Sequence, residues 1–222
     1  MIELHEVAFH YAPGAFGLRV DEFAVARGEA VACIGPSGSG KSTLIQLISG
    51  ILVPDQGRVL LDGRPMSSLS DAERRARRSA EIGFVFQEFE LLEYLTALDN
   101  ILLPFRIGRD LCVDREARER AIELAEHAGI GSHLGRRPRR LSHGERQRVA
   151  VCRALVTQPS LVIADEPTGN LDPDTGRAIL DLLFAQVRER GSTLLTVTHD
   201  HGVLDRFDRV VDVRDLARVG VR

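Results

Sequence analysis

The sequence predicts an α/β protein, and two observations carry this prediction. The first is a set of short apolar runs with strand character, at 31–35, 58–62, 82–87, 161–165 and 193–198. The two late runs are almost continuously apolar, which is typical of parallel strands buried on both faces of a sheet. The second observation is a glycine-rich motif directly after the first run, with the spacing of a phosphate-binding loop. We therefore expect a nucleotide-binding core.

The glycine-rich motif reads GPSGSGKST and fits the template G-x-x-x-x-G-K-[ST]. Its glycines permit dihedrals closed to residues with a Cβ, so that successive N–H groups can surround an anion. Lys41 would add positive charge at the β- and γ-phosphates of a nucleoside triphosphate, and Ser42 would coordinate Mg²⁺ at the start of a helix. A plain surface turn is the alternative, but an amphipathic helix follows. The predicted phosphate-binding residues are Gly35, Pro36, Ser37, Gly38, Ser39, Gly40, Lys41, Ser42 and Thr43.

A helical region interrupts the strand-bearing core. Between 87 and 159 no comparable apolar run occurs, and Asp114 is placed to cap a helix of 3.6-residue period that stops at Gly129. A second helix is predicted after the strand at 161–165, opened by Asp172 and Pro173. We predict that helices are inserted into an α/β core.

Two carboxylates follow the strand at 161–165. Asp165 and Glu166 come at its C-terminal end, where open α/β sheets bind their ligands. Asp165 could hold Mg²⁺, directly or through water, while Glu166 could polarise a water for attack on the γ-phosphate. An Asp-Glu pair after a strand is also a common way to begin a loop. Together with the phosphate loop, the pair favours hydrolysis of the nucleotide over transfer to another substrate.

The segment LSHGERQR at 141–148 predicts a second anion-binding helix end. Ser142 and Glu145 have the spacing of a capping box, and Gly144 would keep side-chain bulk away from an anion. A serine cap is usually only a cap. In a chain that already has a phosphate loop, however, it suggests a second phosphate-binding surface.

Charge and composition narrow the function further. The net charge of −3 gives no reason to expect nucleic acid as a partner. The cluster of arginines at 74–78 has acidic neighbours and is interpreted as a solvated helix face, whereas the role of the basic run from Arg136 to Arg140 stays open. Three scattered cysteines without C-x-x-C spacing are interpreted as reduced, small apolar residues. The N-terminus lacks a basic leader and no apolar stretch is long enough to span a bilayer, so we expect a cytosolic location.

Taken together, the motifs resemble the ATP-binding subunit of an ABC transporter along essentially the whole chain. Beside the phosphate loop stand a glutamine at a strand end (Gln87), the signature LSHGE, the LVIADE strand, the NLD loop at 170–172 and a histidine, His199, after the last strand. The stretches at 83–104 and 164–172 resemble the lipoprotein-release, macrolide-export and cell-division ATPases of bacteria. The resemblance implies a P-loop NTPase (RecA-like) core of 1–88 and 158–222, with an N-terminal antiparallel β region and an inserted α-helical subdomain at 89–157.

The resemblance also implies roles for single residues. Two copies would form a homodimer in the ATP-bound state, with the signature of one copy completing the ATP site of the other. Gln87 would touch Mg²⁺ and the attacking water, His199 the γ-phosphate, and Asp172 would communicate across the dimer. The implied set comprises catalytic Glu166, His199 and Gln87; Mg²⁺-binding Ser42, Gln87 and Asp165; and the signature residues Leu141, Ser142, His143, Gly144 and Glu145.

Two further surfaces follow from the resemblance. Tyr11 would stack on adenine, although a plain buried tyrosine is the alternative. A segment after Gln87 would meet integral membrane subunits, which would place the protein on the cytoplasmic face of the bacterial inner membrane. An apolar stripe is more often core, yet some of this segment should be exposed. Its apolar residues are Phe89, Leu91, Leu92 and Tyr94, together with Phe86 directly before Gln87.

The sequence departs from the family pattern at three places. His143 stands where the signature usually has glycine, Glu93 stands where relatives often have proline, and the end of the chain lacks a common aspartate-glycine turn.

Two alternative functions stay open. A soluble ABC ATPase of the DNA-repair, chromosome or translation type is one alternative, but the chain has no long insertion, no cysteine pair and no second phosphate loop. A cassette that gates a cell-wall hydrolase is the other.

Overall fold

The computed structural model describes residues 1–12, 16–108 and 111–221, and these divide into two compact units. The first unit comprises Met1–Arg78 and Thr193–Arg222, and the second comprises Ser79–Ser192. The strands are β1 Ile2–His10, β2 Phe16–Val25, β3 Ala30–Ile34, β4 Gln56–Leu61, β5 Arg64–Pro65, β6 Ile82–Val85, β7 Leu161–Asp165, β8 Thr193–Val197, β9 Arg209–Asp212 and β10 Ala217–Val221. The helices are α1 Lys41–Ile48, α2 Asp71–Glu81, α3 Ala97–Ile101, α4 Leu103–Ile107, α5 Arg115–His127, α6 His143–Leu155, α7 Pro173–Arg190 and α8 Val213–Leu216.

The first unit contains an antiparallel sheet and a parallel set of strands. The antiparallel sheet has the order β10-β2-β1-β4-β5, and alternate residues of β1, such as Ile2 and Leu4, are fully buried. β3 pairs in parallel with β8 on one side and with β9 on the other. All but the last residue of β3 are buried, as expected for a central parallel strand. β3 therefore delivers the glycine-rich loop from a rigid support.

The second unit packs helices against a parallel pair of strands. β6 pairs with β7, and α6 lies close to β6. A Cβ built on Gly83 of β6 would lie 2.1 Å from the carbonyl oxygen of Ala154, so glycine is needed for this approach. Eight residues of α6 are buried, including polar Gln147 and Arg153. The helix is thus a core element of its unit.

The predicted strands are confirmed to within about two residues, and the predicted helix signals are confirmed in their geometry. Asp114 accepts a hydrogen bond from the Ala117 N–H at the start of α5, and Gly129 has a φ of 71°. Asp172 caps α7, which ends before Gly191 with a φ of 64°. Such caps depend only on neighbouring residues, which is why the sequence reveals them.

The interpretation of the 74–78 arginines as a solvated face holds only in part: no residue of α2 is buried, but three of the four arginines also bind backbone carbonyls. Arg74 donates to the Leu69 carbonyl, Arg77 to the Leu61 carbonyl, and Arg78 to the Ser49 and Gly50 carbonyls at 3.3 Å each. Only Arg75 is an exposed member of the set, paired with Asp71. Long guanidinium side chains can satisfy carbonyls at the ends of neighbouring elements, and a charge pattern does not reveal this.

The cysteines divide into two kinds. Cys33 and Cys152 are buried, and desolvation raises the pKa of each thiol to about 12. Cys112, by contrast, is exposed. All three are free thiols.

We expect the Gly83→Ala variant to be destabilised by about 1–3 kcal/mol, because its methyl group would force α6 away from β6. Urea unfolding curves would measure the change. Gly135→Ala is the matched control in the same unit, since a Cβ there meets no described atom within 4 Å and should change stability by less than about 0.5 kcal/mol. Equal unfolding midpoints for the two variants would contradict the close approach.

Candidate functional site

The phosphate-loop motif folds as a loop between β3 and α1. Gly35, Gly38 and Gly40 have φ values of 149°, 80° and 95°, a region that residues with a side chain rarely adopt. A Cβ on Gly35 would lie 2.8 Å from Ser39 Oγ, and one on Gly40 would lie 2.5 Å from Leu18 Cδ1. At Gly35 and Gly40, both the positive φ and the lack of space for a Cβ favour glycine. At Gly38, the positive φ alone favours it.

The Lys41 ammonium lies across the loop. Its Nζ donates hydrogen bonds to the Gly35 carbonyl at 2.7 Å and to the Pro36 carbonyl at 2.8 Å. Ser42, in the first turn of α1, is exposed, whereas Thr43 is buried. A positive charge and free N–H groups at a helix start together form a cradle for an anion.

Tyr11 is exposed, so the alternative of a buried tyrosine is wrong. Its side chain is 53% exposed, and its ring packs edge-on against Phe9 with centroids 4.9 Å apart. The hydroxyl lies 3.2 Å from Thr43 Oγ1 and 3.5 Å from Gln46 Oε1, both on α1. These contacts hold the tyrosine beside the phosphate loop and leave its ring accessible to a ligand.

Asp212 lies beside the start of the phosphate loop, which the sequence analysis did not predict. β9 pairs with β3 so that Asp212 is opposite Ile34, and a Cβ on Gly35 would lie 3.7 Å from Asp212 Oδ1. Arg214 donates from Nε and Nη2 to the carboxylate at 3.0 and 2.6 Å. These bonds, the Arg214 backbone N–H and the charge of Lys41 lower the pKa of Asp212 to about 2. No local motif marks this residue, because only the pairing of β9 with β3 brings it to the loop.

In the second unit, Glu166 and Gln87 lie against the same glycine. Asp165 ends β7, and both it and Glu166 are partly buried. A Cβ on Gly169 would lie 3.2 Å from Gln87 Nε2 and 3.3 Å from Glu166 Oε2, so both side chains lie beside this glycine. Glu166 has a φ of 46°, which costs a residue with a side chain about 1–3 kcal/mol unless its surroundings compensate. The two predicted catalytic side chains of this unit are thus brought together.

The signature segment has the predicted capping box. Ser142 Oγ accepts from the Glu145 N–H at 3.3 Å, and Glu145 Oε2 accepts from the Ser142 N–H at 2.6 Å. The hydrogen bond from the Ser142 N–H is the largest cause that lowers the pKa of the Glu145 carboxyl, and burial opposes it. A Cβ on Gly144 would lie 2.8 Å from Thr175 Cγ2, so packing against α7 also requires this glycine. Ser142 and His143 are exposed, while Leu141 is buried.

His199 and Asp172 are both accessible. His199 follows β8 in the first unit and is exposed. Asp172 is exposed in the second unit, and hydrogen bonding to the backbone of Thr175 lowers its pKa. The carboxylate of Asp172 therefore already serves as a helix cap, in addition to any role toward a partner.

The segment after Gln87 is exposed only in part. Tyr94 is 69% exposed, and Leu91 and Leu92 are partly buried. Phe86, directly before Gln87, is 36% exposed. Phe89 is only 8% exposed, so its ring cannot be a major part of a docking surface. The expectation that some of these residues are exposed is confirmed.

The basic run before the signature is on the surface. Arg136, Arg137, Arg139 and Arg140 are exposed, and Pro138 between them is buried. A 3₁₀ turn, Pro138–Arg140, keeps the run next to Leu141. Among the described residues, no helix is both long and apolar enough to cross a membrane.

Comparisons with known proteins all match this chain to ATP-binding proteins of ABC transporters. A family model described as ABC transporter matches residues 18–169. The lipoprotein-releasing system ATP-binding protein LolD of Xanthomonas euvesicatoria is 42% identical over 217 residues, which is 96% of this chain and 88% of its own. LolD of Xanthomonas campestris is 44% identical over 193 residues, or 86% and 80% of the two chains. A solved dimeric structure of the ATP-binding cassette MJ0796 bound to ADP and Pi is 35% identical, with a TM-score of 0.85 over 100% of this chain and 98% of that one.

The solved structures also confirm the predicted fold class. A second structure, described as a dimeric bacterial ABC transporter cassette, is 36% identical with the same TM-score of 0.85. The predicted P-loop NTPase fold, with antiparallel and parallel strands and additional helices, is thus the observed one. The exact boundaries of the predicted helical subdomain, 89–157, stay a prediction.

Proposed function

Because the chain belongs to the ABC transporter family, we propose that it is the ATPase subunit of a transporter that releases lipoproteins from a membrane. It is an ATP-binding cassette whose hydrolysis of ATP is coupled to transport. The observation that carries the lipoprotein assignment is the match of nearly the whole chain to proteins described as lipoprotein-releasing. The alternative of a soluble ABC ATPase for DNA repair, chromosomes or translation has no comparable support.

The phosphate loop fits the triphosphate of ATP. Three glycines with positive φ leave the backbone free to curve around an anion, and Lys41 supplies a positive charge on the loop itself. Tyr11 offers an exposed ring beside the same loop, which fits stacking on adenine. ATP would thus be held at its phosphates by residues 35–43 and at its base by Tyr11.

The predicted Mg²⁺ ligands are oxygen donors of the kind that this ion prefers. They are the exposed Ser42 hydroxyl, the Asp165 carboxylate at the end of β7 and the side-chain oxygen of exposed Gln87. When bound, Mg²⁺ would neutralise charge on the β- and γ-phosphates. Ser42, Asp165 and Gln87 would bind the ion, and Gln87 would also contact the attacking water.

Glu166 would act as the general base for water. Its carboxylate lies against Gly169, as does the amide of Gln87, so the two can act on one water molecule. His199 would contact the γ-phosphate from its exposed position after β8. The water oxygen would form a bond to the γ-phosphorus as its proton passes to Glu166. The bond from that phosphorus to the bridging oxygen would break, and ADP would leave with the electron pair.

A homodimer would complete the ATP site. Ser142 is exposed at the first turn of α6, where its hydroxyl and the helix N-terminus can meet a phosphate of the ATP bound to a second copy. Gly144 would keep bulk out of that contact, and exposed Asp172 would face the partner. The related cassette MJ0796 is described as dimeric with ADP and Pi bound, which supports this arrangement.

Membrane subunits would dock on the segment that follows Gln87. Tyr94 is its most exposed large apolar side chain, Leu91 and Leu92 are partly accessible, and Glu93 adds a negative charge. Phe86, directly before Gln87, is also exposed. Phe89 would support the segment from beneath instead of touching the partner. The protein would then sit on the cytoplasmic face of the membrane through these subunits, and a cassette that gates a cell-wall hydrolase would use the same surface.

Replacing Glu166 with Gln should slow ATP hydrolysis by about 10² or more, because the amide cannot accept the proton of water. ATP binding should be unchanged, and an ATP-bound dimer should accumulate. Phosphate release and size-exclusion chromatography with ATP would measure the two effects. Unchanged turnover would remove Glu166 from the role of base.

Replacing Ser142 with Arg should abolish hydrolysis while leaving the nucleotide affinity of the monomer nearly unchanged, because the bulky side chain would block the second copy's ATP. Fluorescent-nucleotide titration at low protein concentration would give that affinity. A loss of monomer affinity would mean that the signature acts on the ATP of its own chain, and the composite site would be wrong.

Replacing Tyr94 with Glu should reduce co-purification with the membrane subunits about tenfold or more, because a charge would be buried in an apolar contact. Ile51→Glu is the matched control, since Ile51 is also an exposed apolar residue, at 48%, but lies outside the segment. Equal losses with both variants would argue against docking at this segment.

The same purified complex tests the lipoprotein assignment. In vesicles, ATP should drive release of an acylated protein with the wild-type chain and not with Glu166→Gln. ATP hydrolysis without any release of an acylated protein would leave the ATPase assignment intact and overturn the lipoprotein one.

A further inference from the structure

Helix α6 sends two buried polar side chains to the loops that carry Gln87 and Glu166. Gln147 is fully buried, and its Nε2 donates to the Pro167 carbonyl at 2.5 Å, one residue after Glu166. Arg153 is only 8% exposed, and its Nη2 donates to the Phe89 carbonyl at 2.7 Å. A second nitrogen of the same guanidinium, Nη1, donates to the Glu90 carbonyl. Both side chains therefore hold backbone, and both lie within the second unit.

The backbone that they hold is in an unfavourable conformation. Phe89 and Glu90 have φ values of 62° and 48°, and Glu166 has a φ of 46°. Residues with a side chain keep such dihedrals only where the surrounding structure imposes them. At each of the two loops, a buried donor from α6 binds a carbonyl at, or directly after, a residue in this region. Hydrogen bonds from α6 thus constrain both loops, in addition to the bond that Asn170 Nδ2 donates to the Gln87 carbonyl at 3.1 Å.

We propose that Arg153 and Gln147 are positioning residues for hydrolysis, which hold the loops of Gln87 and Glu166 in their reactive conformation. The proposal rests on the proposed roles of Gln87 and Glu166. Neither Arg153 nor Gln147 touches the nucleotide in this scheme. Each acts through the backbone of the loop that it binds.

Arginine is suited to holding the loop that follows Gln87. A planar guanidinium can donate from two nitrogens to two consecutive carbonyls, whereas the ammonium of lysine is a single point on a flexible stem. Burial lowers the pKa of Arg153 to about 10, which leaves the group charged at neutral pH, and the Glu90 carboxylate partly offsets this effect. Charged donors make stronger hydrogen bonds than neutral ones, so the arginine can hold two strained residues at once.

The same helix also carries the signature. α6 begins at His143, one residue after Ser142, and the His143 ring lies edge-on to the Phe89 ring with centroids 6.0 Å apart. The side chains around a buried helix are close-packed, so the helix shifts as one rigid element when one end of it is displaced. A displacement of Ser142 by a second copy would therefore reach Phe89 through His143 and Arg153, and would reach Pro167 through Gln147. The position of the signature is thereby coupled to the conformation of the loops that carry Gln87 and Glu166, all within the second unit.

The Arg153→Met variant tests the proposal, because methionine fills similar space without a donor. We expect kcat for ATP to fall about tenfold or more, with KM and monomer nucleotide affinity within about twofold of wild type. Arg148→Met is the matched control: Arg148 is on the same helix and donates to a backbone carbonyl, that of Ala128 at 2.8 Å, but reaches neither loop. Its kcat should stay within about twofold of wild type. Equal falls in kcat for the two variants would overturn the proposal.

A second substitution separates positioning from simple stabilisation. Glycine accepts a φ of 48° without strain, so adding Glu90→Gly to Arg153→Met should recover kcat at least about threefold over Arg153→Met alone. Recovery of thermal stability without recovery of kcat would show that Arg153 is only structural. If Arg153→Met does not fold, Arg153→Lys takes its place, with an intermediate kcat expected and a wild-type kcat counting against the proposal.

The Glu166→Gln variant, assayed in parallel, distinguishes the two levels of inference. Rapid hydrolysis by Glu166→Gln would overturn the proposed catalytic role, whatever Arg153→Met does. Slow hydrolysis by Glu166→Gln together with normal hydrolysis by Arg153→Met would leave the catalytic role intact and overturn only the positioning role of Arg153.

Discussion

Backbone held in the left-handed region is the constraint on which the functional loops of this protein depend. In the first unit glycine makes this conformation accessible, since Gly38 and Gly40 adopt positive φ without a side-chain clash. In the second unit it is reached without glycine, because Phe89, Glu90 and Glu166 have positive φ and carry side chains. Those residues need external support, which α6 supplies through buried hydrogen bonds.

The two solutions suit the two kinds of task. An anion cradle must present N–H groups, so side chains in the loop would only obstruct it. A hydrolytic loop must present a carboxylate or an amide, so glycine cannot stand at the working position. Holding Glu166 at a φ of 46° therefore requires neighbours that fix the backbone, and the same helix that begins in the signature provides them. One buried helix thus supports the shape of the loops and, in the proposed dimer, would also carry the contact with a second copy.

How far the site could be predicted depended on the range of the interactions. The phosphate loop, the capping box at Ser142 and the cap at Asp172 were recognised because each is built by residues a few positions apart. The burial of Phe89 and the exposure of Tyr11 were not resolved, since an aromatic residue looks the same in a sequence whether it packs or not. The position of Asp212 beside the phosphate loop required the pairing of β9 with β3.

The sequence by itself determined the chemistry: a glycine-rich anion cradle with its lysine, a carboxylate pair after a buried strand and a signature that opens a helix. These are properties of residue type and spacing, and local backbone preferences are enough to express them. Tertiary structure alone decided which buried groups support that chemistry. Arg153 lies 63 positions from Glu90, and Gln147 lies 20 from Pro167, so only the packing of α6 joins them. A buried donor must find an acceptor, and the fold determines which one is within reach.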